Sequence, residues 1–398
     1  MPRLTHRSTM LACYNGYVTQ AICINLAPLF YLTFQREYSL SLGAISFLIA
    51  CNFATQLCVD FLASFFSERI NLRLSSVLAH IFTVIGLFGL SLFPMLLPPY
   101  AGLLLAICFL GLGGGFTEVI ISPILEACPT TEKSGNMSLL HSFYCWGQAG
   151  VVLFSGIYFY FLDVDRYWRY LPWIWAIIPL LGAVMFSIVP IYRLPRADDT
   201  GAKRTDLLRS KTFFCYLIMM FCIGASEMTM SQWASGFAES ALGLEKSVGD
   251  LLGPCLFAVM MGLARVFYGR FSTRINLDRL MCFCSVLCAI SYLLAALSPW
   301  AWLSFVGCAV CGLSVGIFWP GILSSASRKM PFGGIPLFAL LALSGDLGCL
   351  LGPSLAGWIA DAFGGELRIA FCFAILFPLS NLLFLGMEIK KDQRERKK

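Results

Sequence analysis

Glu118, Glu227 and Asp346 are carboxylic acids that lie well inside long apolar stretches of this 398-residue chain. An ionised acid that faces lipid at mid-bilayer costs about 2.5 to 3.5 kcal/mol even on the mildest scale, so each should face a wet cavity or a partner. A carboxylate in such a place can accept hydroxyl hydrogen bonds or exchange a proton. The alternative is a protonated acid that only bonds a neighbouring helix.

The composition shows what surrounds these acids. Hydrophobic residues make up 58% of the chain and charged residues 13%, and the mean hydropathy is +0.78, which is outside the range of soluble domains. A bilayer core about 30 Å thick needs roughly 20 apolar residues per spanning helix. Because the apolar runs are continuous rather than alternating, they favour helices over strands. The sequence therefore predicts an all-α membrane protein.

The apolar runs predict twelve transmembrane helices, called spans one to twelve below. In chain order they cover residues 10–34, 42–66, 74–96, 100–127, 137–161, 171–192, 212–240, 248–271, 280–297, 300–325, 335–362 and 367–387. The N-terminus, the even-numbered loops and the C-terminus hold 22 of the 28 Lys and Arg residues, and such a bias marks the cytoplasmic side. We therefore expect both termini in the cytoplasm. Because the net charge of +6 follows from this bias, we expect no nucleic-acid partner.

Short motifs recur at an offset of about half the chain. Residues 66–72 read FSERINL and residues 271–277 read FSTRINL, while GLGGG at 111–115 matches GLSVG at 312–316. Each offset corresponds to six helices, so the two halves must have the same orientation. The motifs predict two parallel six-helix repeats, with residues 1–192 and 212–389 as the halves. A charged linker at 193–211 and a basic tail at 390–398 complete the division.

This arrangement resembles the major facilitator superfamily, whose loop signature runs G-x-x-x-D-R-x-G-R-R. Residues 64–73 read SFFSERINLR and residues 269–276 read GRFSTRIN, so that Gly269, Arg69 and Arg274 match the signature. In that family the charges of the loop lock the cytoplasmic ends of the two halves in one state of the access cycle. The alternative is that these residues are only the basic loop residues expected on the cytoplasmic side.

The resemblance implies a cytoplasmic gate. We assign to it Glu68, Arg69 and Arg274, together with Asp60 and Arg265, which occupy equivalent positions at the 205-residue offset. For Arg265 the alternative is a side chain that extends toward the membrane surface.

Spans four, five and seven resemble the fucose permease group, which transports fucose, galactose or hexoses with protons. The matching stretches are Glu118-Val-Ile-Ile-Ser-Pro123, Leu140-His141-Ser142-Phe143 and Gly224-Ala-Ser-Glu227 followed by Trp233. Span one departs from that pattern, because it contains no acid where the group has an aspartate.

We expect solute binding by acids, amides and indoles that face the spans' interior. The candidates are Glu118, Glu227, Trp233, Asn25, Gln148, Trp319 and Asp346. For proton coupling we name Glu118 and His141. Asn25 and Gln148 could instead be hydrogen bonds between helices, and His141 could bond the backbone at a helix start.

No cofactor and no metal ion is expected. Most of the 17 cysteines lie singly in apolar spans, and the CxxC pair Cys308 and Cys311 has no acidic or histidine neighbour. The three histidines, His6, His80 and His141, lie on different segments, which argues against a membrane enzyme.

The resemblance implies a monomeric secondary active transporter in the lipid bilayer of the inner cell membrane. We expect it to move a small polar organic solute, carbohydrate-like, by alternating access with a proton or sodium ion as coupling ion. Since the chain has no ATP-binding P-loop, transport must draw on a gradient. The alternatives are efflux of drugs or metabolites and a solute-sensing receptor without flux.

The charge bias predicts that reporter domains fused at position 201 or after residue 398 are cytoplasmic, because both lie among the most basic segments. A reporter that is active only outside the cytoplasm should therefore be inactive in both fusions. An external signal from either fusion contradicts the twelve-span topology.

Overall fold

The computed structural model describes residues 5–40, 42–66, 71–194, 204–242, 246–298, 300–364 and 366–395. These residues are almost entirely helical and form no strand. Helices satisfy the backbone hydrogen bonds within one segment, which lipid-exposed chain requires because hydrocarbon offers no partners.

The helices follow the predicted order closely. In spans one to six they are His6–Asn25, the short Ala27–Phe30, Tyr31–Tyr38, Leu42–Phe66, Leu72–Leu96, Pro99–Ala127, Lys133–Phe161, Val164–Tyr167, Trp168–Tyr170, Leu171–Trp175 and Ile177–Ile188. In spans seven to twelve and the segment before them they are Arg204–Arg209, Lys211–Leu242, Lys246–Phe271, Leu277–Leu297, Ala301–Val315, Phe318–Lys329, the short Pro331–Gly333, Gly334–Ala362, Leu367–Ala374 and Leu376–Glu395.

Among the described residues, eight helical stretches are long and apolar enough to cross a membrane by length and composition. They lie in spans three, four, six, seven, nine, ten, eleven and twelve. Spans one, two, five and eight are helical too. In span two the described apolar helix, Phe47–Ala63, is shorter than those eight stretches. All four of these spans carry polar residues within them, such as Gln20, Asn52, His141 and Arg265.

Spans six, ten and twelve are each broken into two helices, although the sequence predicted one run for each. Span one is also broken, with Pro28 just after the first break at Leu26. The break at Ala176 precedes Pro179, and the break at Ile375 precedes Pro378 at an offset of 199 residues. Span ten is interrupted at 316–317, just before Pro320. Proline has no N–H and clashes with the preceding turn, so each ring interrupts its helix. The matching breaks in spans six and twelve are a further sign of the repeat.

The repeated glycines have equivalent packing roles in the two copies. A side chain at Gly115 of span four would meet Val59 of span two, and one at Gly316 of span ten would meet Ala264 of span eight. Val59 and Ala264 are themselves 205 residues apart. Small residues let helix backbones approach closely, which is how membrane helices associate. The GLGGG and GLSVG motifs thus serve close helix packing.

The asparagine of the repeated loop starts a helix in both copies. Asn71 Oδ1 accepts a hydrogen bond from the Leu74 amide at 3.2 Å, and Asn276 Oδ1 accepts one from the Arg279 amide at 3.0 Å. A side-chain acceptor at this position satisfies one of the free N–H groups of a helix start. The repetition of asparagine in the loop therefore has a local structural cause.

The structure describes only one of the three gate candidates in this repeated loop. Glu68 and Arg69 lie outside the described residues. Arg274 is exposed in the turn after span eight, and its role stays a prediction.

Contacts divide the chain into two compact units. The first comprises Met1–Thr130 and Phe143–Leu194, and the second comprises Thr131–Ser142 and Pro195–Lys398. The first part of span five therefore packs within the second unit, although it precedes the linker. The proposed halves, linker and tail of the sequence repeat stay predictions.

Loss of either cap should lower stability. Asn71→Ala and Asn276→Ala should each destabilise the fold by about 1 kcal/mol, because a helix-start N–H loses its acceptor. Thermal unfolding in detergent will measure this, with Asn71→Asp and Asn276→Asp as controls that keep an acceptor oxygen. If the alanine variants unfold at the same temperature as the aspartate variants, the capping role is refuted.

Candidate functional site

Amide and carboxylate side chains from three spans form a connected network in the first unit. Gln20 Nε2 of span one donates to Glu118 Oε2 of span four at 3.0 Å and to Gln56 Oε1 of span two at 3.5 Å. Gln56 Nε2 in turn donates to Asn52 Oδ1 at 3.2 Å. Gln20 and Gln56 are only 4% and 2% exposed, whereas Glu118 is half-buried. The network therefore leads from the interior to a more accessible carboxylate.

The glycines of span four make room for this network. A side chain at Gly114 would come within 3.2 Å of Gln56 Oε1 and 3.3 Å of Gln20 Oε1. Glu118 lies one turn further along the same helix face, since residues four apart are neighbours on a helix surface. The arrangement holds a carboxylate in one orientation, with amides beside it that can donate to or accept from a hydroxylated molecule.

A buried arginine connects three spans in the second unit. Arg265 of span eight donates from Nε to the Gly316 carbonyl of span ten at 2.9 Å and from Nη1 to the His141 carbonyl of span five at 3.0 Å. Its Nη2 lies 3.6 Å from Glu227 Oε2 of span seven. The Arg265 side chain is 3% exposed and that of Glu227 is 15% exposed, so Arg265 does not extend to the surface. Two residues to which the sequence assigned separate roles thus form one ion pair.

The break in span ten explains why Arg265 can bond Gly316. In a continuous helix the Gly316 carbonyl would accept from the N–H of residue 320, but Pro320 has none. A buried carbonyl without a donor is costly, and the Arg265 guanidinium supplies one. The sequence carries a signal for this contact, namely a proline four residues after a glycine.

The segment at residues 131–142, called the span-five segment below, runs along span eight. Ser138 Oγ donates to the Arg265 carbonyl at 2.8 Å, and Tyr268 Oη donates to Ser134 Oγ at 3.1 Å. A side chain at Gly269 would come within 3.2 Å of the Gly135 carbonyl, so the two backbones are close. Sequence analysis identified Gly269 only as a match to the loop signature. In the structure it permits this approach.

A further hydrogen bond holds the N-terminal end of the span-five segment. Ser272 Oγ donates to Glu132 Oε2 at 3.3 Å. Polar contacts therefore continue along the segment from Glu132 to His141.

The two tryptophan candidates pack against span eleven. Trp233 Nε1 donates to the Pro353 carbonyl at 2.9 Å, and its ring lies against Gly357. The Trp319 ring occupies the place where a side chain at Gly345 would be. Both rings thus have positions fixed by helix packing, with Trp319 beside the residue that precedes Asp346.

The remaining candidates are in different surroundings. Asn25 Nδ2 donates to the Ala21 carbonyl of its own helix at 2.9 Å, so its amide is used locally. Asp346 and Gln148 are half-buried, in spans eleven and five. Asp60 is fully buried, one helical turn after Gln56. His141 is buried too, and the group that Arg265 contacts there is its carbonyl.

Comparison with known proteins identifies the family. The family model described as Major Facilitator Superfamily matches residues 9–335 and 256–398. A search of the curated proteins found no match.

Solved structures of sugar:proton symporters share the fold. A variant of the E. coli fucose:proton symporter FucP superposes with a TM-score of 0.79 at 12% identity, over 96% of this chain and 99% of that chain. FucP in its outward conformation gives 0.81 at 13% identity, over 96% and 99%. The proton:xylose symporter XylE, bound to 6-bromo-6-deoxy-D-glucose, gives 0.79 at 14% identity, over 96% and 95%.

The family match spans most of the sequence, and the described helices have the fold of these transporters along almost the whole chain. The protein is therefore a multi-pass integral membrane protein and belongs to the Major Facilitator Superfamily.

Proposed function

We propose that this protein moves a small, polar, carbohydrate-like solute across the membrane by alternating access, coupled to protons. The observation that carries the proposal is the network in which Gln20, Gln56 and Asn52 hold the half-buried Glu118. Amides and a carboxylate present both donors and acceptors, and hydroxyl groups of a sugar need both. The structural neighbours are named as fucose and xylose symporters with protons, which supports the same solute class.

Glu118 is the residue proposed to exchange the proton. It is the acid of the network, and it is more accessible than the amides that hold it. Proton uptake by Glu118 changes the charge of the network, because the amides of Gln20, Gln56 and Asn52 do not titrate. His141 is the second candidate for proton transfer.

Glu227 is proposed to bind solute hydroxyls in the second unit. Its carboxylate faces Arg265 at 3.6 Å, a distance too long for a hydrogen bond, so it can also accept hydrogen bonds from solute. Trp233, Trp319, Asp346, Gln148 and Asn25 complete the proposed solute-binding set. An indole face can cover the apolar face of a sugar ring.

The cytoplasmic gate is proposed to include Arg265 and the span-five segment, whose hydrogen bonds with span eight are described above. Arg274, Asp60, Glu68 and Arg69 are the other proposed members. We further propose that the protein is a monomer in the inner cell membrane with both termini in the cytoplasm, as the basic loops indicate.

Glu118→Gln should abolish accumulation of sugar against its gradient and spare exchange of sugar across the membrane, because the amide keeps the shape but takes up no proton. Both activities can be measured in proteoliposomes with radiolabelled neutral hexoses and pentoses, under an imposed proton or sodium gradient. The matched control is Glu126→Gln, two helical turns further along span four, which should accumulate sugar like the parent.

Accumulation by Glu118→Gln equal to that of the parent contradicts the coupling role. Accumulation driven by sodium alone identifies a different coupling ion. If the parent binds sugars without flux, the protein is a receptor, and export of hydrophobic cations instead of sugars indicates efflux.

Glu227→Gln should weaken sugar binding by roughly tenfold or more, because hydrogen bonds to a charged acceptor contribute about 1.5 to 3 kcal/mol. Equilibrium binding to the purified protein will measure this, with Glu388→Gln as control, since Glu388 pairs with Lys329 at 3.2 Å. Unchanged affinity in Glu227→Gln removes this residue from the solute site.

A further inference from the structure

Arg265 is the point where a proposed solute-binding acid and the span-five segment meet. Its guanidinium faces Glu227 of span seven and donates to the His141 carbonyl at the end of that segment. Its backbone carbonyl accepts from Ser138 of the same segment. One residue therefore contacts span seven through its side chain and the span-five segment through both side chain and backbone.

We propose that Arg265 is a positioning residue that couples the state of Glu227 to the attachment of the span-five segment. The inference rests on the proposed function in taking Glu227 as the acid that engages solute. When a proton neutralises Glu227, or a solute draws its carboxylate away from Arg265, the attraction between Glu227 and the buried Arg265 is lost. The guanidinium then moves toward water, and its bonds to the carbonyls of His141 and Gly316 are released.

Burial gives this coupling its strength. With the Arg265 side chain 3% exposed, water cannot replace the charge of Glu227 at that position. Removing one partner of a buried ion pair is strongly unfavourable because it leaves the other charge uncompensated. A pair of the same distance at the surface would be screened and would transmit little.

The break in span ten allows the guanidinium to move. The Gly316 carbonyl accepts from Arg265 because Pro320 has no N–H, so this contact comes from a side chain rather than from the helix itself. A side chain can withdraw without unfolding a helix. The Gly135 and Gly269 backbones lie close together, so the segment can separate from span eight without displacing large side chains at that point.

The test is hydrogen–deuterium exchange of the purified full-length protein, followed by mass spectrometry. This method attaches no label to cysteine, of which the chain has 17. Glu227→Gln keeps the shape of the side chain and removes its charge. It should raise amide exchange in residues 131–142 by on the order of tenfold. Glu388→Gln is the matched control, since it neutralises a buried acid of the same unit that pairs with Lys329.

A second pair of variants separates coupling from general destabilisation. Arg265→Gln should raise exchange in residues 131–142, and adding Glu227→Gln to it should cause no further rise, because Glu227 acts through Arg265. Arg265→Lys keeps the charge, but its ammonium lacks the fork of donors with which Arg265 bonds Gly316 and His141 together, so it should also raise exchange there. In each case the rise should be confined to residues 131–142 and the facing part of span eight.

Four results overturn the proposal. Three concern single variants: parental exchange in Glu227→Gln, an equal rise in Glu388→Gln, or a rise spread evenly over the second unit. The fourth is additive effects in the double variant. Because exchange is measured without transport, these outcomes are independent of sugar uptake. A protein that accumulates sugar with protons while Glu227→Gln leaves residues 131–142 unchanged refutes the coupling alone. Raised exchange in residues 131–142 of Glu227→Gln, in a protein that does not accumulate sugar with protons, refutes the proposed function alone.

Discussion

The structure depends on one constraint: polar groups that enter an apolar helix bundle must find their partners inside the protein. Arg265 shows it most clearly, because its donors meet two main-chain carbonyls and its charge meets Glu227. Glu118 shows it in the first unit, where the amide of Gln20 bonds the carboxylate. The same constraint makes these groups sensitive to change, since a buried partner that is lost cannot be replaced by water. The residues proposed to function are therefore also residues whose substitution should cost stability.

Most of the fold could be predicted from the sequence. Hydropathy placed the boundaries of spans two, four and eleven within one residue of those observed. It could not place the helix breaks near Pro179, Pro320 and Pro378, because apolar residues continue on both sides of each break. The repeat was visible in the sequence, and the equivalent glycine contacts of spans four and ten give its physical cause.

The site could be predicted only in part. The cost of a charge in hydrocarbon identified Glu118 and Glu227 as candidates, and the structure places both among polar partners. Sequence reasoning did not pair Glu227 with Arg265, because residues 38 positions apart on different helices have no fixed spacing along the chain. It also did not single out Gln20. Which amide meets Glu118 depends on how spans one, two and four pack.

Whether solute and protons cross together can be tested on the unaltered protein. Proteoliposomes in weakly buffered medium, with no imposed gradient, receive an inward gradient of each neutral sugar of a panel, and external pH is recorded. If they cross together, at least one sugar should make the external medium more alkaline as it enters, because protons follow it inward. Entry of sugar with no change in pH would contradict proton coupling, and a panel in which no sugar enters would contradict the proposed solute class.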